Sequence, residues 1–168
     1  IVSGFTAAGN DFALDPGGAI PGRITNAANG QASANLSMNV NALVNGGLRS
    51  LGTVSTNASG VYRFSGLATG TYFVSTGVGN SGYMNELYDN ILCPLGCNNI
   101  QSGTEIPVTV RQTTDDRNFA LDTGGAITGT VTRGSNGAAL QNVTVVAVTR
   151  IGTSLFTRTA STNSSGAY

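Results

Sequence analysis

The sequence predicts an all-β protein made of tandem antiparallel β-sandwich units of about seven strands each. Three observations carry that prediction. Gly numbers 24, Ser, Thr and Asn are abundant, and Lys is absent while Glu and Gln are scarce, which favours short strands and tight turns over helices. Leu36, Met38, Val40, Ala42 and Val44 alternate with Asn35, Ser37, Asn39 and Asn41, the period of two that gives a strand one apolar and one wet face. Finally, a long segment of the chain recurs.

The recurrence sets the organisation. Phe12-Ala13-Leu14-Asp15-Pro16-Gly17-Gly18-Ala19-Ile20 returns as Phe119-Ala120-Leu121-Asp122-Thr123-Gly124-Gly125-Ala126-Ile127, an offset of 107 residues. The match continues from Asn35-Leu36 to Asn142-Val143 and, after one deletion, from Ser55-Thr56-Asn57 through Tyr62 to Ser161-Thr162-Asn163 through Tyr168. Residues 1–15 then read as the C-terminal strand of one repeat, 16–122 as a full repeat, and 123–168 as the opening of another. Two readings complete that last repeat: a longer array, or strands supplied by another chain, because open sheet edges invite pairing.

Within the full repeat the elements follow in order. A first strand is expected at 19–25 and the alternating one at 36–44. Others are expected at 48–56, 60–65, 70–76, 105–111 and 117–121, with a less regular insertion over about 77–104. Gly60 follows the polar turn Asn57-Ala58-Ser59, where φ can turn positive, and Tyr62 and Phe64 then share one face of the next strand. Tyr62, Phe64, Leu67, Tyr72 and Phe73 are expected in the core or at a sheet edge.

The order Gly18-Ala19-Ile20-Pro21-Gly22-Arg23-Ile24-Thr25, then Thr56-Asn57-Ala58-Ser59-Gly60-Val61-Tyr62-Arg63-Phe64, then Gly70-Thr71-Tyr72-Phe73-Val74 resembles the carboxypeptidase regulatory-like domain. That family sits among the transthyretin-like and Cna-B-like β-sandwiches. The resemblance implies an Ig-like or transthyretin-like sandwich that is non-catalytic and serves as an accessory unit beside peptidases or in the stalks of surface adhesins. Some Cna-B-like relatives carry a Lys isopeptide crosslink; a chain with no Lys departs from them there.

Charge excludes several classes. Eight Arg balance eight acids, so no basic patch is available for nucleic acid, and no apolar run has the length of a membrane span. With no His, Ser-His and Cys-His nucleophile systems are excluded. Asp115 and Asp116 are adjacent before a strand, so their side chains diverge, and the expectation is that the chain is not an enzyme.

The insertion holds what site chemistry remains. Cys93-Pro94-Leu95-Gly96-Cys97 is spaced to close a small ring, and a structural disulfide is expected over a redox pair or a zinc site, which lacks further ligands. Glu86 and Asp89 are calcium candidates among Tyr83, Asn85, Tyr88 and Asn90, although the spacing fits no calcium-loop template; otherwise no cofactor is expected. Asp15 and Asp122 are read as turn caps. Tyr83 and Tyr88 are the candidate exposed rings for ligand binding. Sequons at Asn35, Asn57, Asn142 and Asn163 are what an Asn-, Ser- and Thr-rich chain produces by chance.

The function expected from these readings is a structural or adhesive repeat of a secreted or cell-surface protein, forming a rod, stalk or fibre. Its partners would be neighbouring repeats of the same or identical chains, met by β-strand pairing. The alternative is a non-catalytic binding module attached to a secreted hydrolase, with 77–104 as its recognition surface.

Overall fold

In the computed structural model the described residues are 9, 11–79, 81–93, 96–151 and 154–168. The chain divides into two compact units, Ile1–Thr123 and Gly124–Tyr168. Every regular element among the described residues is a strand except one single-turn 3-10 helix, Ile100–Ser102.

In the first unit, β1 (Gly18–Asn26), β2 (Ser37–Val44), β3 (Gly47–Ser55), β4 (Val61–Leu67) and β5 (Gly70–Gly77) are followed by the short β6 (Glu86–Leu87), β7 (Ile91–Leu92), β8 (Ile106–Val108) and β9 (Phe119–Leu121). One sheet has the order β4-β1-β9. The other runs β3-β2-β5-β6-β7, with β8 also paired to β5. The first five strands fall where alternation and turn chemistry place them.

The later ones depart from the sequence expectation in three ways. β8 covers only Ile106–Val108 of the expected 105–111, because the chain turns there, with Gln112 N–H donating to the Thr109 carbonyl at 3.1 Å and Arg111 at φ 63°. β9 is reached by crossing from one sheet to the other, not by a hairpin, and so pairs parallel to β1, Ile24 opposite Phe119; the sandwich is not wholly antiparallel. The insertion, expected to be less regular and given no strands, contains the two-residue β6 and β7, which extend the second sheet through Ser75 opposite Leu87 and Leu87 opposite Ile91.

The core lies between the sheets. Ile20, Ile24, Tyr62, Phe64, Phe119 and Leu121 from the first meet Met38, Val40, Tyr72, Val74, Ile106 and Val108 from the second. Tyr62 packs edge-on against Phe64 and Phe119, with ring centroids 5.7 and 6.2 Å apart, the geometry that the ring quadrupole favours. The Tyr62 hydroxyl donates to the Arg117 carbonyl at 2.5 Å, and burial pushes its pKa up. Phe73 is buried too but lies outside that cluster: it points from the opposite face of β5, as strand alternation requires.

The second unit holds the hairpin β10 (Thr144–Ile151) and β11 (Ser154–Ser161), antiparallel from Thr144 opposite Ser161 to Ile151 opposite Ser154. Its turns have the same internal bonds as the first unit at matching positions. The Thr56 hydroxyl donates to the Ser33 carbonyl at 2.8 Å and accepts from Leu36 N–H at 3.0 Å; the Thr162 hydroxyl donates to Leu140 at 2.6 Å and accepts from Val143 N–H at 2.9 Å. Asn57 Oδ1 accepts from Ser59 and Val61 N–H, and Asn163 Oδ1 from Ser165 and Ala167 N–H. Gly60 and Gly166 sit at φ 73° and 74°, where a Cβ would strike the carbonyl oxygens of Ile24 and Val131. Glycine is therefore required at both.

Candidate functional site

The insertion folds back along one edge and over the outer face of the second sheet. Its first anchor is Asn85, whose Oδ1 accepts from Val78 N–H at 2.9 Å while its carbonyl accepts from Cys93 N–H at 2.8 Å. A second is Thr76, whose hydroxyl accepts from Glu86 N–H at 2.8 Å. A third ties the insertion to the end of the sandwich: Met84 N–H donates to the Asp122 carbonyl at 2.9 Å and Tyr83 bridges Thr123. The 3-10 turn Ile100–Ser102 packs against β5.

Cys93 and Cys97 are joined by a disulfide, with Cα atoms 5.0 Å apart. The clip stands at the rim of a groove of about 320 Å³ on the outer sheet face, lined by Asn39, Asn41, Ser50, Asn85, Cys97 and Ile100 among others. The lining residues carry amides and hydroxyls beside the Ile100 side chain and the disulfide, and none of them is ionisable. Alternation marks Asn39 and Asn41 as the wet face of their strand, but the segment that walls the groove is distant in sequence.

The two tyrosines are not the exposed rings the sequence suggested. Both are half-buried and pack against the core. The Tyr83 hydroxyl accepts from Ser33 Oγ at 3.1 Å and Asn26 Nδ2 at 3.4 Å, and these bonds lower its pKa. Tyr88 lies edge-on to Phe119 with centroids 6.0 Å apart. The Arg117 guanidinium stands 5.3 Å from the Tyr88 ring centroid, and its Nη1 donates to the Tyr88 hydroxyl at 3.2 Å, a cation–π contact combined with a hydrogen bond. Apolar rings flanking a half-wet insertion gain more by covering the sandwich than by standing in water.

The calcium candidates have different surroundings. Glu86 is buried, with Oε2 lacking a hydrogen-bond partner; desolvation first, and then the charge of Asp122, raise its pKa to about 6. Asp89 is exposed at φ 76° and accepts from the Thr104 hydroxyl at 3.2 Å. Among the described residues no group of three or more acidic, Cys or His side chains is placed to hold a metal. Asp15 forms an ion pair with Arg111. Asp122 makes its turn contact through the backbone carbonyl.

No family model matches the chain, and no curated protein does. Among solved structures, the chain is similar to a streptococcal ancillary pilin at 10% identity and TM-score 0.49, with 89% of this chain and 48% of the pilin covered. It is similar to a DUF3823 family protein from Bacteroides uniformis at 14% identity and TM-score 0.42, covering 87% and 54%, and to sea bream transthyretin at 13% identity and TM-score 0.34, covering 85% and 95%. The chain thus spans about half the length of the pilin. At these identities and scores the likenesses assign it to no family, and its β-sandwich stands on its own strand pairing and core.

Proposed function

We propose that the chain is a non-catalytic structural or adhesive segment of an extracellular or cell-surface protein, in which carboxypeptidase regulatory-like sandwich units follow one another in series. The observation that carries this reading is the recurrence, 106 residues on, of the same turn hydrogen bonds, the same positive-φ glycine and the same threonine clip in the two units. A chain that repeats its turns residue by residue repeats its architecture, and units built alike can be stacked without new interface chemistry. Gly17-Gly18 and Gly124-Gly125 leave short junctions, which favour a regular, extended arrangement. The Cys93–Cys97 disulfide supports an oxidising compartment. No helix among the described residues is long and apolar enough to cross a membrane.

Small-angle scattering on proteins carrying two, three and four successive repeats tests the reading. The expected result is a constant cross-section with maximum dimension rising by a fixed increment per repeat. A dimension that grows only as the cube root of mass, as for compact globules, would refute it.

A further inference from the structure

The outer face of the second sheet carries a polar row that the sheet itself does not need. Asn39 and Asn41 of β2 lie on that face, since Met38 and Val40 between and beside them are buried in the core. Across the ladder Asn39 is paired with Thr53 on β3 and Ser75 on β5, and Asn41 with Ser50 on β3, so amides and hydroxyls stand side by side on strands about 4.8 Å apart. Their hydrogen-bonding capacity is largely uncommitted. Asn39 Oδ1 accepts from the Thr53 hydroxyl at 2.8 Å and Asn85 Oδ1 from Val78 N–H at 2.9 Å; among the described residues neither Nδ2 group, nor the side chain of Asn41, Ser50 or Ser75, makes a hydrogen bond within the chain. Gly77 keeps the place beside Asn39 open, because a Cβ there would come 3.0 Å from its Nδ2. The second repeat has the same hairpin register, Thr144 opposite Ser161 as Ser37 lies opposite Ser55, yet puts Val146 and Val148 where the first has Asn39 and Asn41. Valine suits a strand better than asparagine, so strand formation gives no reason for the two amides.

We infer that the groove over this row binds a neutral saccharide, its hydroxyls bonded to Asn39, Asn41, Ser50 and Asn85 and a C–H face of the ring against Ile100. Three other ligand classes fail on the same geometry. A charged ligand would leave water for a lining with no ionisable side chain to meet it. An apolar ligand would strip water from the amides and hydroxyls and leave them unpaired. A peptide strand needs an open backbone ladder, and β2 is already paired on both sides, to β3 and to β5. A sugar hydroxyl donates and accepts, as do a side-chain amide and a serine hydroxyl, so the pairing needs no charge on either partner. The volume, about 320 Å³, is at the small end of ligand-binding clefts and suits a ligand built on sugar rings. No aromatic side chain lines the groove, so binding rests on hydrogen bonds and the dissociation constant is on the order of 1 mM. The inference deepens the adhesive reading by naming what is held, and rests on it only in placing the face where glycans are met.

The experiment titrates the full chain, followed by backbone-amide NMR, with the methyl glycosides of glucose, galactose, mannose and N-acetylglucosamine and with maltose and cellobiose, each to about 50 mM. At least one of these neutral sugars should shift the signals of Asn39, Asn41, Ser50, Asn85 and Ile100 in a saturable way and leave those of β1 and β4 in place. The constant should change by less than about twofold between low and high salt, because no ion pair is involved. Asn39→Val with Asn41→Val, the residues of the second repeat, should weaken binding at least tenfold, with the core signals showing the sheet intact. Ser50→Ala, at an exposed position that cannot disturb the core, supplies a second variant and should weaken binding about threefold. No saturable shift with any of the six sugars, binding that survives all three substitutions, or tighter binding of glucuronate or of a capped alanine tripeptide than of any neutral sugar would each overturn the inference. None of these results would alter the scattering test of units in series.

Discussion

Replacing Glu86 by Gln should make the first unit more stable at neutral pH and leave it nearly unchanged at pH 4.5. The carboxyl is buried, one oxygen lacks a partner, and burial with the nearby Asp122 charge raises its pKa from 4.5 to about 6. A folded-state pKa above the unfolded one means that the native protein binds more protons between those values. The stabilising contribution is therefore complete below pH 4.5 and is lost as pH rises through 6. A shift of about 1.5 units corresponds to about 2 kcal/mol. Glutamine cannot ionise and still offers an oxygen to the Asp122 backbone N–H, so the variant should escape that loss. Urea unfolding at pH 4.5, 5.2, 6 and 7 measures it, read by the fluorescence of tyrosines, four of whose five positions lie in the first unit. The midpoints should coincide at pH 4.5 and separate by about 1 M at pH 7, the variant higher. Parallel pH profiles for the two proteins would show that Glu86 is ionised without penalty and refute the reasoning.

Three further outcomes follow from the fold. Gly60→Ala should lower stability by about 2–3 kcal/mol, because the site needs φ 73° and a Cβ would strike the Ile24 carbonyl; an unchanged urea midpoint would contradict this. Thr56→Val should cost about 2–3 kcal/mol, since it leaves the buried Ser33 carbonyl and Leu36 N–H without their shared hydroxyl, whereas exposed Thr53→Val should be nearly silent in the same assay. Cys97→Ser should cost about 2 kcal/mol by freeing a short ring, and hydrogen exchange should quicken around Asn85 and Cys93 before it does in β1 or β2.

The legible part of this fold was the local part. Alternation located β2, and the Asn57-to-Tyr62 pattern located the turn before β4, because both are set by neighbours a few residues apart. The resemblance to a carboxypeptidase regulatory-like domain pointed to a sandwich but not to the direction of β9, which depends on where the chain re-enters the first sheet after β8. The insertion was least legible. Tyr83 and Tyr88 looked exposed because a loop rich in Asn and Gly reads as solvent-facing, yet their partners, Ser33, Phe119 and Arg117, come from elements 29 to 50 residues away. The burial of Glu86 was hidden for the same reason: a lone carboxylate two residues after Met84 has no sequence mark that distinguishes a sealed site from a wet one.

The comparison of the two units separates what is encoded locally from what must be supplied. The threonine clip, the asparagine turn and the positive-φ glycine form in both, and each joins residues of one short segment. Core burial does not follow from them: Met38 and Val40 are buried in a core to which Tyr62, Phe64, Phe119 and Leu121 of the facing sheet contribute, residues as far as 83 positions away in the chain. Turns closed by residues of one short segment fix the strand register in advance, so the distant strands that complete the core meet an edge whose hydrogen-bonding phase is already set.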